Sequence, residues 1–225
     1  MSGQENSAAG RPRLSGVVLS GGKSRRLGQD KAVLRLWGPQ GPTLLEATVA
    51  HMAAICDEVL VVSDGPRDWP VLPARVVFDR YPGGGSLGGI YTGLAEAAYP
   101  FALAVACDMP FLNPALLRYM AELPRDYDVL VPSLGRPAIV EGEGEQAPPL
   151  QVEPLHAIYG RPCLEPMRAL LEVGERRIIR FFPAVRVRTL QVEEIARFDP
   201  QGLSFRNINT PQDLAEVQSL LSGRG

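Results

Sequence analysis

The sequence is poor in cysteine, histidine, lysine and long apolar runs, and these scarcities exclude several classes of function. Its three cysteines are odd in number, far apart and without CxxC spacing, which argues against a disulfide framework and a zinc site. No apolar run is long enough to span a bilayer, so we expect no membrane segment. The net charge of −2 excludes a general polyanion binder, so no nucleic-acid partner is expected. Any phosphate chemistry therefore depends on a local cluster of positive charge.

Lysine is the scarcest of the charged residue types. Only two of the 23 basic residues are lysines, Lys23 and Lys31, and both lie in one glycine-rich loop. Arginine carries the positive charge elsewhere, so lysines retained in this loop indicate a need for a compact ammonium, unless their placement is chance.

The length of 225 residues and the hydrophobic fraction of 45% are those of an ordinary globular protein with room for a core. Residues 1–13 are small and polar and lack the apolar stretch of a signal peptide, so we expect a disordered tail and a cytoplasmic protein. We place one domain at 14–222 and expect a monomer.

Apolar runs and helical stretches alternate along the chain, which predicts a parallel sheet covered by helices on both faces. The run 101–107 (FALAVAC) shows no alternation, so it is predicted to be a central strand with both faces buried. We therefore expect a single-domain, three-layer α/β fold of Rossmann-like type with a mostly parallel, twisted sheet. Strands are predicted at 16–19, 58–63, 75–78, 101–107, 128–131 and, as a half-exposed or edge strand, 186–191. Helices are predicted at 43–55, 90–98, 113–122, 161–173 and 211–221.

Three loops are candidates for the binding site, because ligands of such sheets bind at the carboxyl ends of the strands. These loops are 20–31, 79–89 and 108–111. A further segment, 135–154, is rich in Gly, Pro and Glu and reads as a long loop, either a lid or a solvated surface insertion.

The loop 20–31 (SGGKSRRLGQDK) follows the first predicted strand and carries four cations against one carboxylate. Its glycines let backbone N–H groups close around an anion, and side-chain cations add charge, as is needed to hold a triphosphate. It is not a P-loop, because the residue five positions before Gly22 is Val17 instead of glycine, and it lacks the GxGxxG spacing of dinucleotide binders. A basic surface turn is the alternative interpretation.

The stretch 19–31 (LSGGKSRRLGQDK) resembles the signature L-A-G-G-x-S-x-R-M-G-x-D-K of cofactor nucleotidyltransferases. In that family the Leu-x-Gly segment lies against the base and the final lysine contacts the phosphates. The resemblance thus implies a nucleotide-binding fold, with Lys31 on the phosphates. The third position of the signature is Gly21 in this sequence. In this respect the sequence resembles family members that use GTP, whereas members that use CTP usually have alanine there. The GTP-binding residues it implies in this loop are Leu19, Ser20, Gly21, Gly22 and Lys31.

Asp108 follows the most buried predicted strand. A carboxylate held beside a triphosphate suits Mg²⁺, a hard ion that takes one or two carboxylates plus phosphate oxygens. Taken alone, the same aspartate reads equally as a helix N-cap or turn residue; beside the glycine loop we favour the metal. Cys107 is predicted to be a core thiol, since no histidine lies near it in sequence to activate it.

Asp79 ends another predicted strand and precedes a glycine-rich turn, 81–89, that lets backbone approach a ligand closely. Its carboxylate suits the N–H groups of guanine or the hydroxyls of ribose. The segment resembles the family's D…PGxGPLxG stretch, with Ser86 in place of proline, which implies a contact between Asp79 and GTP. The residue after the second strand has the same implied role, although Ser63 stands where the family pattern has asparagine.

Three later stretches resemble motifs of molybdenum cofactor guanylyltransferases. They are 155–159 (LHAIY), 174–178 (GERRI) and 207–214 (NINTPQDL), so that the resemblance covers nearly all of 14–220. It implies transfer of GMP from GTP to the terminal phosphate of molybdopterin, with release of pyrophosphate. It also implies a GTP-binding part at about 14–112 and an acceptor-binding part at about 113–222.

The acceptor-binding candidates each have a structural alternative. Asn207 and Asn209, two apart on a strand end, share one face and either bind the edge of a pterin or cap backbone. Arg176 and Arg177 either hold the acceptor phosphate or are solvated helix charges. His156 is interpreted as a structural histidine in preference to a catalyst.

The expected catalytic groups are Lys31, Asp108 with Mg²⁺, and Arg25 or Arg26, all acting on phosphate charge. GTP and molybdopterin are the expected partners, with cofactor-delivery and acceptor proteins as further candidates. The alternatives are a CTP-using cytidylyltransferase, a transferase acting on another small-molecule phosphate, and a GTP-sensing module without catalysis.

Overall fold

A sheet of seven strands runs through the centre of the molecule, described here from a computed structural model over residues 12–21, 27–28, 30–67, 69–135 and 151–223. The spatial order is β3-β2-β1-β4-β6-β5-β7, and every neighbouring pair is parallel except the two formed by β6. The mostly parallel sheet predicted from the sequence is thus confirmed. The strands are β1 Ser15–Leu19, β2 Glu58–Ser63, β3 Arg75–Phe78, β4 Phe101–Ala106, β5 Val129–Pro132, β6 His156–Gly160 and β7 Val187–Leu190.

The helices cover the sheet on both faces, which makes three layers and confirms the predicted α/β class. α1, α3 and α5 bury apolar side chains in one core, and α2 and α4 bury theirs in a second core on the opposite face. Within the described ranges no helix has both the length and the apolar character needed to cross a bilayer. The α-helices are α1 Leu44–Ala53, α2 Gly85–Glu96, α3 Pro114–Glu122, α4 Leu164–Glu172, α5 Val192–Ala196 and α6 Pro211–Ser222, and the 3₁₀ helices are Lys31–Val33, Arg161–Cys163, Ile178–Ala184 and Leu203–Phe205.

β4 lies in the middle of the sheet, where its unbroken apolar run predicted it. Leu103 and Val105 pack into the core beneath α1 and α3, whereas Ala102 and Ala104 pack into the core beneath α2. Alternate side chains therefore bury both faces of the strand. β7 forms one edge of the sheet, as its alternating sequence predicted.

Two predicted helix starts are confirmed by their caps. The Asn113 side chain accepts from the backbone N–H groups of Ala115 and Leu116, and Pro114 occupies the first turn of α3. Thr210 accepts from the N–H of Asp213 at 3.1 Å and closes a capping box at the start of α6. Both caps satisfy donors that have no partner within the helix.

α2 differs from the prediction, because it begins at Gly85, whereas the prediction began at 90. Three glycines of the turn 81–89, Gly85, Gly88 and Gly89, belong to the helix, and Gly89 faces β1, as Gly93 does further along. A Cβ on Gly93 would lie 2.4 Å from Cγ1 of Val17, and one on Gly89 would lie 3.0 Å from Cδ2 of Leu19. Glycine is therefore required for α2 to approach β1 this closely.

The strand β6, which no prediction included, also differs from the other strands in direction. It is inserted antiparallel between β4 and β5, with Ala157 opposite Ala104 and Ile158 opposite Leu103. Its five residues are all buried, so they show no alternation of apolar and polar side chains. The predicted helix 161–173 also differs, since it opens with a 3₁₀ turn and becomes α-helical only at Leu164.

Parts of three predicted segments lie outside the described residues. These are 1–11 of the predicted tail 1–13, 22–26 and 29 of the predicted loop 20–31, and 136–150 of the predicted loop 135–154.

The first residue of β6, His156, is fully buried with its ring edge-on to Phe205, 5.0 Å between centroids. Neither ring nitrogen has a hydrogen-bond partner among the described residues. Burial lowers the pKa of His156 to about 4, because the charged imidazolium loses its hydration. The ring is therefore neutral at pH 7, which fits the structural role favoured from the sequence.

Acidification is expected to destabilise the fold through His156. The unfolded imidazole takes up a proton near pH 6.5, but the folded one does so only near pH 4, so stability present above pH 6.5 is lost as the pH falls through this window. The loss amounts to at most about 3 kcal/mol. The free energy of unfolding, measured by chemical denaturation between pH 7 and pH 4, should decline more steeply for the wild type than for His156→Leu.

If the free energies of unfolding of the two proteins fell equally with pH, His156 would not be the source of the acid sensitivity. An NMR titration of the wild-type imidazole provides a check that does not depend on the variant folding. Its midpoint should lie well below 6.5.

Candidate active site

The carboxyl ends of β1, β2 and β4 meet at one edge of the sheet, and two adjoining cavities open there. Each cavity measures about 310 to 320 Å³, and the two share Leu19, Gly21 and Ser86. We call the one lined by Lys31 and Asp108 the phosphate cavity and the one lined by Ser63 and Asp79 the nucleoside cavity. This is the edge at which parallel α/β sheets bind their ligands.

The phosphate cavity is organised around one ion pair. Nζ of Lys31 lies 2.7 Å from Oδ2 of Asp108 and also donates to Oδ1 of Asn209 at 2.7 Å. The lysine and aspartate side chains keep 15% and 19% of their surface exposed, so both groups are reachable from solvent. The arrangement brings a cation, a carboxylate and an amide from three distant parts of the chain to one point.

A capped turn holds Lys31 in place. Asp30 precedes the 3₁₀ helix Lys31–Val33, and its Oδ1 accepts from the N–H of Ala32 at 3.0 Å. The cap fixes the direction in which the chain leaves the glycine loop. The lysine side chain is thereby aimed at the end of β4.

A backbone hydrogen bond attaches the C-terminal segment to the same point. The N–H of Ile208 donates to the carbonyl of Asp108 at 3.0 Å, and Ile208 itself is fully buried. This bond places Asn207 and Asn209 on the lining of the phosphate cavity. The Oδ1 of Asn207 is buried and has no hydrogen-bond partner in the described part of the chain.

The nucleoside cavity lies between the ends of β2 and β3 and the start of α2. Oδ1 of Asp79 accepts from the N–H of Tyr81 at 3.0 Å and from the hydroxyl of Thr92 at 2.9 Å, which orients the carboxylate. Ser63 is fully buried, and its hydroxyl donates to the carbonyl of Gly65 at 2.7 Å. Ser63 therefore shapes the turn after β2 through its own side chain.

The structure brings together most of the residues predicted for the site. On the lining of the two cavities are Leu19, Ser20, Gly21, Lys31, Ser63, Asp79, Asp108, Asn207 and Asn209. Gly22, Arg25 and Arg26 lie outside the described residues. Their predicted roles stay predictions.

Arg176 and Arg177 are exposed and do not line either cavity. The Arg177 guanidinium hydrogen-bonds to Glu175 and lowers the pKa of that carboxyl to about 2. This arrangement matches the alternative of solvated charges more closely than that of a phosphate contact.

Cys107 is buried next to Asp108, and this placement matches the predicted core thiol. Burial, with the neighbouring Asp108 carboxylate, raises the pKa of Cys107 to about 12. A thiol with this pKa is protonated at neutral pH and is a poor nucleophile.

Sequence reasoning missed one cation of the phosphate cavity, Arg67. Its guanidinium lies on the lining and pairs with Asp30 at 2.7 Å and Asp64 at 2.6 Å. The residue stands in the connection after β2, outside every recognised motif. Its position at the carboxyl end of a parallel strand was the available signal.

The donor set around Asp108 fits a magnesium-like ion. The described residues hold no group of three or more His, Cys, Asp or Glu that forms a metal cage. Two carboxylates lie on the lining of the phosphate cavity, Asp108 and Asp30, and Asp30 is paired with Arg67. This suits a hard cation that takes most of its oxygen ligands from phosphates and water.

Comparison with known proteins gives a consistent family. The family described as MobA-like NTP transferase domain matches residues 16–190. A probable molybdenum cofactor guanylyltransferase from Chloroflexus aggregans is 43% identical over 208 residues, covering 92% of this chain and 95% of the relative. Another from Pelotomaculum thermopropionicum is 36% identical, with 92% of each chain covered.

Solved structures agree with these relatives. The structure of molybdopterin-guanine dinucleotide biosynthesis protein A from Archaeoglobus fulgidus superposes with a TM-score of 0.72 at 25% identity, covering 93% of this chain and 99% of that one. A cytidylyltransferase from Thermus thermophilus shares the fold at 21% identity, with a TM-score of 0.65 and coverage of 92% and 98%. The chain therefore belongs to the MobA-like NTP transferase family and, within it, to the molybdenum cofactor guanylyltransferases.

Proposed function

We propose that this chain transfers the GMP part of GTP to the terminal phosphate of molybdopterin and releases pyrophosphate. The observation that carries the proposal is the contact between Lys31 and Asp108 at 2.7 Å, in a cavity that adjoins a nucleoside-sized one. A cation and a carboxylate held side by side are the two groups that phosphoryl-type transfer to an anionic acceptor requires. Relatives of this chain bear the name of that activity.

The nucleotide is proposed to bind across both cavities. Guanine presents adjacent N–H donors that suit the oriented carboxylate of Asp79. Leu19, Gly21 and Ser86 line both cavities, so the two adjoin, and one ligand is proposed to occupy both. The triphosphate then extends toward Lys31 and Asp108.

Nucleotidyltransferases of this type generally use a divalent metal, and we propose Mg²⁺ held by Asp108. When bound, the ion supplies positive charge against the phosphate oxygens. Asp108 retains a carboxylate oxygen beyond the one that Lys31 contacts. Lys31 is able to exchange its carboxylate partner for a phosphate, since both are oxygen anions and its Nζ has three donors.

The reaction proposed here needs no general base from the protein. A phosphate monoester has its second pKa near about 6 and is largely ionised at neutral pH, so it attacks the α-phosphate directly. The structure is consistent with this, because burial holds the His156 ring neutral with a pKa of about 4 and holds Cys107 as a thiol. Lys31 and backbone N–H groups of the loop 20–31 are proposed to neutralise charge on the α-phosphate and on the leaving pyrophosphate.

The acceptor is proposed to approach from the side of Asn207 and Asn209, which line the phosphate cavity and not the nucleoside cavity. We propose that the buried amide oxygen of Asn207, which has no partner in the described part of the chain, accepts from a donor of the pterin once its side chain turns into the cavity. The predicted cytoplasmic location, and any proteins that deliver or receive the cofactor, stay predictions.

A pyrophosphate-release assay with molybdopterin tests the function. GTP should support release only when Mg²⁺ is present, and CTP, ATP and UTP should support little. Release driven by CTP would favour the cytidylyltransferase alternative. Binding of GTP without release under any condition would indicate a non-catalytic binding module.

Replacing Asp108 by alanine should abolish turnover and leave the fold intact. The fold is expected to survive because the bond from Ile208 uses the backbone carbonyl of Asp108, which alanine retains. Steady-state pyrophosphate release and thermal unfolding measure the two effects. Asp126→Ala is a matched control, since Asp126 is exposed and pairs with Arg188 away from the cavities. Mg²⁺-dependent release by Asp108→Ala at the wild-type rate would refute the role.

Replacing Lys31 by alanine should cost about 2 to 4 kcal/mol of transition-state stabilisation, as loss of one preorganised donor does in other enzymes. The value of kcat/KM for GTP is therefore expected to fall by about 1.5 to 3 orders of magnitude. Arg188→Ala serves as the control for loss of a cation elsewhere. A normal turnover rate in Lys31→Ala would remove the residue from the mechanism.

A further inference from the structure

We infer that Arg67 binds the phosphate chain of the nucleotide as a second cation beside Lys31. The inference rests on the proposed function, because it assigns a residue to the triphosphate placed there. It concerns a side chain outside the glycine loop and outside every motif recognised in the sequence.

Arg67 is held in position before any ligand arrives. Nη1 donates to Oδ2 of Asp30 at 2.7 Å, Nη2 donates to Oδ1 of Asp64 at 2.6 Å, and the guanidinium carbon lies 5.7 Å from the centroid of the Trp69 ring. Trp69 in turn packs against the core beneath α1. Only 20% of the arginine side chain is exposed, so little conformational freedom remains to be lost on binding.

The guanidinium still has hydrogen-bonding capacity. It carries five N–H donors, two on each terminal nitrogen and one on Nε. Each terminal nitrogen donates one hydrogen to a carboxylate, and the side chain lines the phosphate cavity. A planar donor group fixed at the wall of such a cavity suits phosphate oxygens.

The charge of the described lining gives an independent reason. The charged side chains there are Lys31 and Arg67 against Asp30 and Asp108, so the lining has no net charge. Arg67 and Lys31 thus balance the two carboxylates of this lining before a metal ion adds charge. Removal of Arg67 would leave the described lining net negative and weaken its attraction for a polyanion.

The position of Arg67 indicates the nucleotide as its ligand in preference to the acceptor. It bridges Asp30, on the phosphate cavity, and Asp64, on the nucleoside cavity. Arg67 lines the phosphate cavity, and its pair with Asp64 turns it toward the nucleoside cavity. Asn209, a proposed acceptor contact on the same lining, instead accepts from Lys31 and has no such link to the nucleoside cavity among the described residues.

The test is equilibrium binding of guanosine, GMP and GTP to the full chain with Mg²⁺, by calorimetry. Arg67→Met should weaken GTP by at least about tenfold and leave guanosine within about twofold, because only the phosphates contact the missing charge. Arg75→Met is the matched control, since Arg75 pairs with Glu96 at the amino end of β3, the end opposite the site. An equal loss for guanosine and GTP would overturn the inference in favour of a purely structural role.

A double-mutant cycle separates direct contact from an effect relayed through the Asp30 turn to Lys31. If Arg67 contacts phosphate itself, adding Arg67→Met to Lys31→Ala should weaken GTP by a further factor of at least about tenfold. No further loss in the double variant would overturn direct contact. Should Arg67→Met fail to fold, Arg67→Gln removes the charge, keeps a polar side chain and carries the same expectations.

Failure of this inference differs from failure of the proposed function. If the wild-type protein does not bind GTP at all, both the proposed function and the role of Arg67 are refuted. If wild-type protein binds GTP and Arg67→Met binds it equally well, only the role of Arg67 is lost.

Discussion

The ion pair between Lys31 and Asp108 is the contact around which the site is arranged. The two residues follow β1 and β4, neighbouring parallel strands whose last residues, Leu19 and Ala106, are register partners. A partly exposed pair of this kind contributes little to stability. Its value lies in holding a cation and a carboxylate at one point. A polyanion is able to replace Asp108 as the partner of Lys31, and a hard metal ion is able to replace Lys31 as the partner of Asp108.

The C-terminal part of the chain completes this site without forming a separate layer of structure. β6 enters the sheet antiparallel beside β4, and the bond from Ile208 to the carbonyl of Asp108 ties the following segment to the same strand end. Asn209 thereby reaches Lys31 across 178 positions of sequence. The proposed acceptor side and nucleotide side thus depend on one strand end, which keeps the reacting groups in a fixed relation.

The site is suited to stabilising negative charge on phosphates, and it offers little for proton transfer. The two groups most suited to proton transfer or nucleophilic attack near β4, His156 and Cys107, are both buried, one held neutral and one held as a thiol. The charged side chains on the lining of the phosphate cavity are two cations, Lys31 and Arg67, and two carboxylates, Asp30 and Asp108. Such a lining favours a reaction between two phosphates, in which the acceptor is already an anion.

Local sequence alone determined the strands β1 to β4 and the caps Asn113 and Thr210, because each depends on residues adjacent in the chain. The start of α2 was misjudged because its first turn is rich in glycine, and the contact of Gly89 with Leu19 of β1 is not visible in the sequence. The strand β6 was missed because His156 and Gly160 bound a segment of only three apolar residues, too short to form the apolar run that marked β4. The pairing of Arg67 with Asp30 and Asp64 likewise required the tertiary structure. Side chains far apart in sequence acquire a common site only when the sheet brings the ends of its strands to one edge.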